Sequence, residues 1–204
     1  MKQKSAMDRK EKILKLAKQM GIIRPRDVEA AGIFREYLLR LHRKGDLTRV
    51  GRGLYSLPDS LTSESLTLAE VAKRVPNAVV CLLSALQFHN LTTQVPGRVW
   101  IAIEGRKWKP KFDYPPLEVV RFSGHAFNFG VESHEVDHIL VKVYSPAKTV
   151  ADCFKFRNKI GLDVALEALR ETWRSRKGTM DELWEAAKAC RVGNVMRPYL
   201  EAIT

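Results

Sequence analysis

The stretch Gly21-Ile-Ile-Arg-Pro-Arg-Asp-Val-Glu-Ala-Ala-Gly32, continued by Ile33-Phe-Arg-Glu-Tyr-Leu-Leu-Arg-Leu-His-Arg-Lys-Gly45 and Asp46-Leu-Thr-Arg-Val-Gly-Arg-Gly-Leu-Tyr-Ser-Leu-Pro58, decides the fold. Pro25 suits a first helical position, where its missing N–H leaves no bond unmade. Val28 and Ala31 lie three apart, and Gly32 can end that helix in a left-handed conformation. Phe34, Leu38 and Leu41 recur at helical spacing, so one face packs and Arg35, Glu36, Arg40 and Arg43 stay outside. Gly45 stops this second helix. Residues 47–50 and 54–57 read as short strands. Gly51-Arg52-Gly53 between them offers two glycines for the positive φ angles of a tight hairpin. Helix, turn, helix and hairpin in that order make a winged helix-turn-helix, which sets one helix in the major groove of DNA.

In such a module the first residues of the second helix, Phe34, Arg35, Glu36 and Tyr37, read base edges. Arg35 can bridge guanine O6 and N7, and Tyr37 can reach a phosphate or a base face. Arg26, Arg40, Arg43 and Lys44 complete the cationic set around that helix. Arg49 and Arg52 on the hairpin face phosphates or the minor groove. Charge agrees with this assignment. The net charge is +12, and residues 1–58 hold 15 Lys and Arg against 6 Asp and Glu, whereas residues 59–204 hold 20 against 17. The excess sits on the expected DNA module, an electrostatic footprint for a polyanion. A membrane surface would instead ask for an amphipathic helix with aromatic anchors, and the first helix has none.

The 204 residues suffice for one medium or two small domains, and a hydrophobic fraction of 45% supports a packed core. Residues 1–7 read as frayed and basic. Asp8-x-x-Glu11 has capping-box spacing, with Ile13, Leu16, Ala17 and Met20 as the apolar stripe that follows. The polar run after Pro58 marks a domain boundary, giving residues 1–60 and 61–204. Thr67-x-x-Glu70 caps a helix ended by Pro76, and residues 78–91 read as one buried helix. Residues 99–103, 117–122, 129–136 and 138–144 are strand-like. Between the first two strands lies Gly105-Arg-Lys-Trp-Lys-Pro-Lys111. It reads either as a solvated hairpin loop or as a second nucleic-acid contact through Arg106, Lys107, Trp108 and Lys109. Ser145-Pro146 opens a helix. Leu162, Ala165, Leu166, Leu169 and Trp173 stripe another, Thr179-x-x-Glu182 caps a third, and a last one runs over 193–203. The fold class is therefore α+β: a winged helix-turn-helix, then an α+β domain with C-terminal helices. Cys81, Cys153 and Cys190 are widely spaced without a Cys-x-x-Cys pair, which suits buried thiols in a reducing compartment. With no secretory start and no long apolar run, the expected location is cytoplasmic.

The segment Asp113-Tyr-Pro-Pro-Leu-Glu-Val-Val-Arg-Phe-Ser-Gly124 resembles one found in the AbiEi-type antitoxins. So does Val143-Tyr-Ser-Pro-Ala-Lys-Thr-Val-Ala-Asp-Cys-Phe-Lys-Phe-Arg-Asn-Lys-Ile-Gly-Leu-Asp-Val-Ala-Leu-Glu-Ala-Leu169, and Arg40 to Leu57 is similar to that family's winged helix. The resemblance implies a transcriptional repressor from a type IV toxin–antitoxin, phage-defence operon. Its partners would be double-stranded DNA, as inverted repeats at its own promoter, and a nucleotidyltransferase-like toxin. The family's C-terminal domain carries the antitoxin activity, in the usual account without a stable complex. Here that activity falls loosely on Arg121, Lys148, Asp152, Lys155, Arg157 and Lys159.

Neither family nor residues offer catalytic machinery, a metal or a cofactor. Glu135-x-Asp137 puts two carboxylates on one strand face. His134 and His138 have zinc spacing only on a helix. Glu104 lacks the lysine two residues on that a nuclease pattern needs, since Arg106 stands there. Ser84 and Ser145 have no paired His and Asp. The alternative to a repressor is an interaction module that grips the toxin through its C-terminal domain, with DNA binding secondary. A nuclease is the distant third.

Overall fold

The computed structural model describes residues 2–58, 63–111, 114–136 and 138–203. By contact the α+β chain divides into two compact units: residues 1–76 with 135–141, and residues 77–134 with 142–204. By contact the first unit extends to residue 76, past the polar connector where the sequence suggested a boundary at residue 60. The connector itself, residues 59–62, lies outside the described residues.

The first unit runs α1 (Lys2–Met20), β1 (Ile22–Ile23), α2 (Pro25–Ala30), α3 (Arg35–Arg43), β2 (Thr48–Gly51), β3 (Leu54–Ser56) and α4 (Ser63–Arg74). Ile13 and Ala17 of α1 join Ile23, Val28, Ile33, Leu38, Leu41, Leu47 and Tyr55 in one core. Helix α1 extends back to Lys2, ahead of Asp8, whose side chain lies outside the described residues. Helix α4 likewise starts one turn before Thr67, because nothing in residues 63–66 breaks a helix. Both α2 and α3 end in the paired bonds of a Schellman motif. Gly32 (φ 74°) and Gly45 (φ 79°) take the left-handed position, where a side chain would be strained. Ile33 N–H then reaches Val28 O (3.1 Å), and Asp46 N–H reaches Leu41 O (3.0 Å). β1 is too short to leave a sequence signal; it pairs antiparallel with β3, making a sheet in the order β1-β3-β2.

The second unit holds β4 (Val79–Val80), α5 (Leu82–Phe88), β5 (Val99–Glu104), β6 (Leu117–Phe122), α6 (His125–Asn128), α7 (Pro146–Lys155) and the parts of β7 (Val131–Val136) and β8 (Ile139–Tyr144) outside residues 135–141, which cluster with the first unit. It closes with α8 (Arg157–Ile160), α9 (Leu162–Arg174), α10 (Met180–Ala189) and α11 (Gly193–Ile203). The sheet order is β6-β5-β4-β8-β7. The single helix expected over residues 78–91 is a strand, β4, followed by α5. β4 lies mid-sheet, antiparallel to β5 and parallel to β8. A short apolar run buried on both faces carries no period that separates strand from helix. The expected β5–β6 hairpin is also corrected: β5 and β6 are parallel, in register from Val99↔Leu117 to Glu104↔Phe122. A parallel pair needs a crossover, and its described residues, 105–111 and 114–116, contain no helix.

Helix α7 is the axis of this unit. Ser145 Oγ accepts the Lys148 N–H (3.3 Å), Pro146 takes the first turn, and every residue from Ala147 to Phe154 is buried. Lys148 and Asp152, expected on an antitoxin surface, are fully buried. At i,i+4 on a helix enclosed all round they meet each other: Lys148 Nζ donates to both Asp152 oxygens at 2.6 Å. The ammonium also lies 4.4 Å from the Phe122 ring centre and 4.2 Å from that of Tyr144. Cys190 Sγ donates to Asp152 Oδ1 at 3.3 Å. The α9 stripe is rotated from expectation. Val164, Ala165, Ala168, Leu169 and Thr172 are buried, while Leu162 and Trp173 are each 38% exposed. The Thr179–Glu182 capping box is formed in both directions. All three cysteines are buried, and burial pushes each thiol up from its ordinary range.

Removing one member of a buried ion pair strands the other charge. Lys148→Met is therefore expected to cost about 3–5 kcal/mol in urea denaturation, and Lys148→Met with Asp152→Leu to recover most of it. A double variant no more stable than the single one would refute this reading.

Candidate nucleic-acid interface

Helix α3 is held by one seam. Leu38 and Leu41 are buried and Tyr37 and His42 half-buried, so the opposite face carries Arg35, Glu36, Leu39, Arg40 and Arg43, all exposed. At 100° per residue Arg35, Leu39 and Arg43 form one outward row and Glu36 and Arg40 the next. Lys44 follows at the C-terminal end, also exposed. Among the described residues, Arg35, Arg43, Lys44 and Arg52 have no ion-pair partner.

Two residues behave differently from expectation. Phe34 does not pack beneath Leu38; it is 79% exposed. It is the N-cap of α3, with extended backbone (φ −63°, ψ 135°), so its side chain leaves the helical stripe and Ile33 fills the core instead. Tyr37 does not point freely outward. Its hydroxyl accepts the Arg9 guanidinium at 2.6 Å, and the Arg9 (5.1 Å) and Arg40 (5.4 Å) guanidinium carbons lie over its ring. Arg9 is a contributor that sequence reading passed over, because nothing local links it to residue 37.

The hairpin uses its glycines for two different reasons. Gly53 takes positive φ (71°) at the turn beside the exposed Arg52. Gly51 does not; a Cβ there would stand 2.3 Å from Glu70 Oε1 and 2.4 Å from Arg74 Nη2. Glu70 is buried and paired with Arg74 at 2.6 Å, so Gly51 is the place where β2 approaches α4 closely. The register shifts between Arg49 and Gly51, and Arg49 Nε donates to Gly51 O at 3.1 Å.

The start of α2 is clamped. Asp27 Oδ2 accepts the Arg24 N–H (2.9 Å) and Arg24 Nε (3.2 Å), and Lys73 Nζ lies 3.9 Å away. Arg24 Nη1 donates to Lys73 O at 3.0 Å. Arg26 is exposed, with its Nε 3.9 Å from Asp27 Oδ1. Burial works to raise the Asp27 carboxyl, but the Arg24 bonds outweigh it and hold the group below the usual carboxylate range.

The remaining expected residues lie in the second unit. Arg106, Lys107, Trp108 and Lys109 are exposed on the β5–β6 crossover, with Lys107 paired to Glu104 at 3.0 Å. Arg121 is exposed on β6. Lys155 donates to Cys190 O (3.2 Å) and Arg157 to Phe154 O (2.9 Å), so both fasten helix ends. Lys159 pairs with Glu118 at 2.5 Å. The carboxylates and imidazoles weighed for metal are paired locally: His134 with Glu132 (3.0 Å) and Glu135 with His138 (3.3 Å). Asp137 lies outside the described residues. No group of three ligating side chains occurs among the described residues, and no helix there is long and apolar enough to cross a membrane.

Because the native Asp27 pKa is depressed, its stabilisation is complete above the unfolded value and is lost as pH falls through the native one. Asp27→Asn should therefore be less stable than wild type at pH 7, with the gap in unfolding midpoint closing below about pH 4. A gap that persists in acid would show that packing, not charge, makes the difference.

No curated protein matches the chain. Residues 11–58, which carry most of α1, all of α2 and α3, and the hairpin, match the family described as transcriptional regulator, AbiEi antitoxin, the same family that the sequence resembles.

Proposed function

We propose that this chain is a DNA-binding antitoxin that represses its own toxin–antitoxin operon and neutralises a nucleotidyltransferase-like toxin, with residues 1–60 acting as a winged helix-turn-helix. The observation that carries the reading is α3: a short helix fixed by Leu38 and Leu41 whose whole outer face is exposed and mostly cationic. Such a helix meets the two demands of major-groove docking, a rigid inner seam and an outer face rich in donors. The match over residues 11–58 to a family of antitoxin regulators supports it.

In this reading Arg35 sits at the helix end that enters the groove and bridges a guanine. Phe34, exposed beside it, lies against a thymine methyl group, an apolar feature of the major groove. Arg40, Arg43, Lys44, Arg49 and Arg52 hold phosphates, as does Arg26 at the start of α2. Tyr37 acts indirectly, keeping Arg40 and Arg9 in place. One such module reads a short site, so two copies on an inverted repeat supply the specificity. The antitoxin role belongs to residues 61–204. Of the residues the resemblance points to, Arg121, Lys155 and Lys159 are the exposed cations, while Lys148 and Asp152 are enclosed.

Binding to duplex DNA from upstream of its own gene, followed by anisotropy, should weaken steeply with salt. Six neutralised phosphates give a log–log slope of roughly −5. Binding that ignores salt would refute the repressor reading. Arg35→Ala should lose about 1–3 kcal/mol at a single base position and little elsewhere. Equal loss on every sequence would make Arg35 a phosphate contact instead. Phe34→Ala should abolish any preference for thymine over uracil in the site; a preference that survives would remove Phe34 from the base-reading set.

A further inference from the structure

The β5–β6 crossover carries a feature that the repressor reading leaves unused. Trp108 is 91% exposed, the most solvent-open large hydrophobic side chain among the described residues. A Trp normally buries much of its ring, and one left bare is informative when its neighbours share a chemistry. Here they do. From residue 98 to residue 121 the sequence has six Lys and Arg against three Asp and Glu, an excess as large as the whole +3 of residues 59–204. Arg106, Lys109 and Lys111 are exposed and have no ion-pair partner among the described residues.

The loop is held in place. Gly105 N–H donates to Phe122 O (2.6 Å) and Lys107 N–H to Glu104 O (3.0 Å). Arg121 reaches Lys107 O at 3.5 Å, and Pro110 fixes its own φ. The chain between two parallel strands must run back beside them. Accordingly Lys107 lies by Arg121 near the end of β6, while Lys109 lies close enough to Glu118, near its start, to help lower that carboxyl, behind the stronger effect of Lys159. The result is a cationic track beside β6 with one flat aromatic face standing out of it.

We propose that this loop binds single-stranded nucleic acid, with an unpaired base stacked on Trp108 and the flanking phosphates on Arg106, Lys109 and Lys111. Duplex DNA offers no free base face to an indole, whereas a single strand does, and stacking on aromatic residues between cations is the usual way such strands are held. The site is independent of the duplex contact assigned to α3, and failure of either leaves the other standing.

The test uses the full chain carrying Arg35→Ala and Arg52→Ala, so that the duplex face is weakened, with labelled oligo(dT) and oligo(rU) followed by anisotropy at low salt. Trp108→Ala is expected to weaken binding by about tenfold or more. The Lys109→Gln, Lys111→Gln pair should reduce the salt slope by about two. The better-bound oligonucleotide identifies DNA or RNA as the source. Because Trp108 is bare, Trp108→Ala should melt at the wild-type temperature, so any loss reports the site. No binding by the parent, or equal binding by the parent and Trp108→Ala, overturns the proposal. So does a Trp108-dependent capture of a poly-glutamate peptide without effect on the oligonucleotides, which would make the loop a dock for an acidic protein.

Discussion

The first unit rests on a single constraint: α3 must bury Leu38 and Leu41 against the core while its other side stays wet. A nine-residue helix is too short to hold itself together in water, so its stability comes from that seam. The seam also fixes rotation about the helix axis, and rotation decides which side chains face out. Arg35, Leu39 and Arg43 are exposed because residues 38 and 41 are not. The two glycine stops, Gly32 and Gly45, confine the helix to a length that presents only this face. Structure and the assigned chemistry therefore share one cause.

The second unit is organised differently. Its axis, α7, is surrounded, so two charged residues end up where no water reaches. The fold resolves this by pairing Lys148 with Asp152 and lining the ammonium with the faces of Phe122 and Tyr144. Such a pair is weak as a source of net stability, because desolvation offsets much of its attraction. It is strong as a constraint, because any rearrangement that parts the two leaves a bare charge in a dry core. Lys155 at the end of α7 and Arg157 at the start of α8 are spent on backbone carbonyls. A run of exposed cations, Arg98, Arg106, Lys107, Lys109, Lys111 and Arg121, flanks the β5–β6 edge of the sheet. A sheet edge flanked by lysines is also protected against pairing with another chain.

Elements whose signals are local were legible in the sequence. The Pro25 start, the Gly32 and Gly45 stops, the Ser145 cap, the Thr179–Glu182 box and the 193–203 helix depend on neighbours within four residues, and each stands where it was expected. Elements whose identity depends on distant partners were not. Val79 and Val80 become a strand only because β5 and β8 lie beside them. The direction of β6 relative to β5 is invisible in an alternating pattern, since parallel and antiparallel strands bury the same residues. Helical period placed Phe34 in the core, but residue 34 precedes the helix, and period has no authority outside an element.

By itself the sequence determined the order of helices and hairpin before Pro58, the concentration of positive charge on that stretch, and the apolar residues that close its core. These follow from short-range propensity and from composition, which no folding can change. Only the tertiary structure decided which charges are available. Lys148 and Asp152 were taken inside, Tyr37 was engaged by Arg9, and Trp108 was left bare on a crossover loop. Burial is a property of what packs on a side chain from far along the chain, and that information is not carried by the residue or its neighbours.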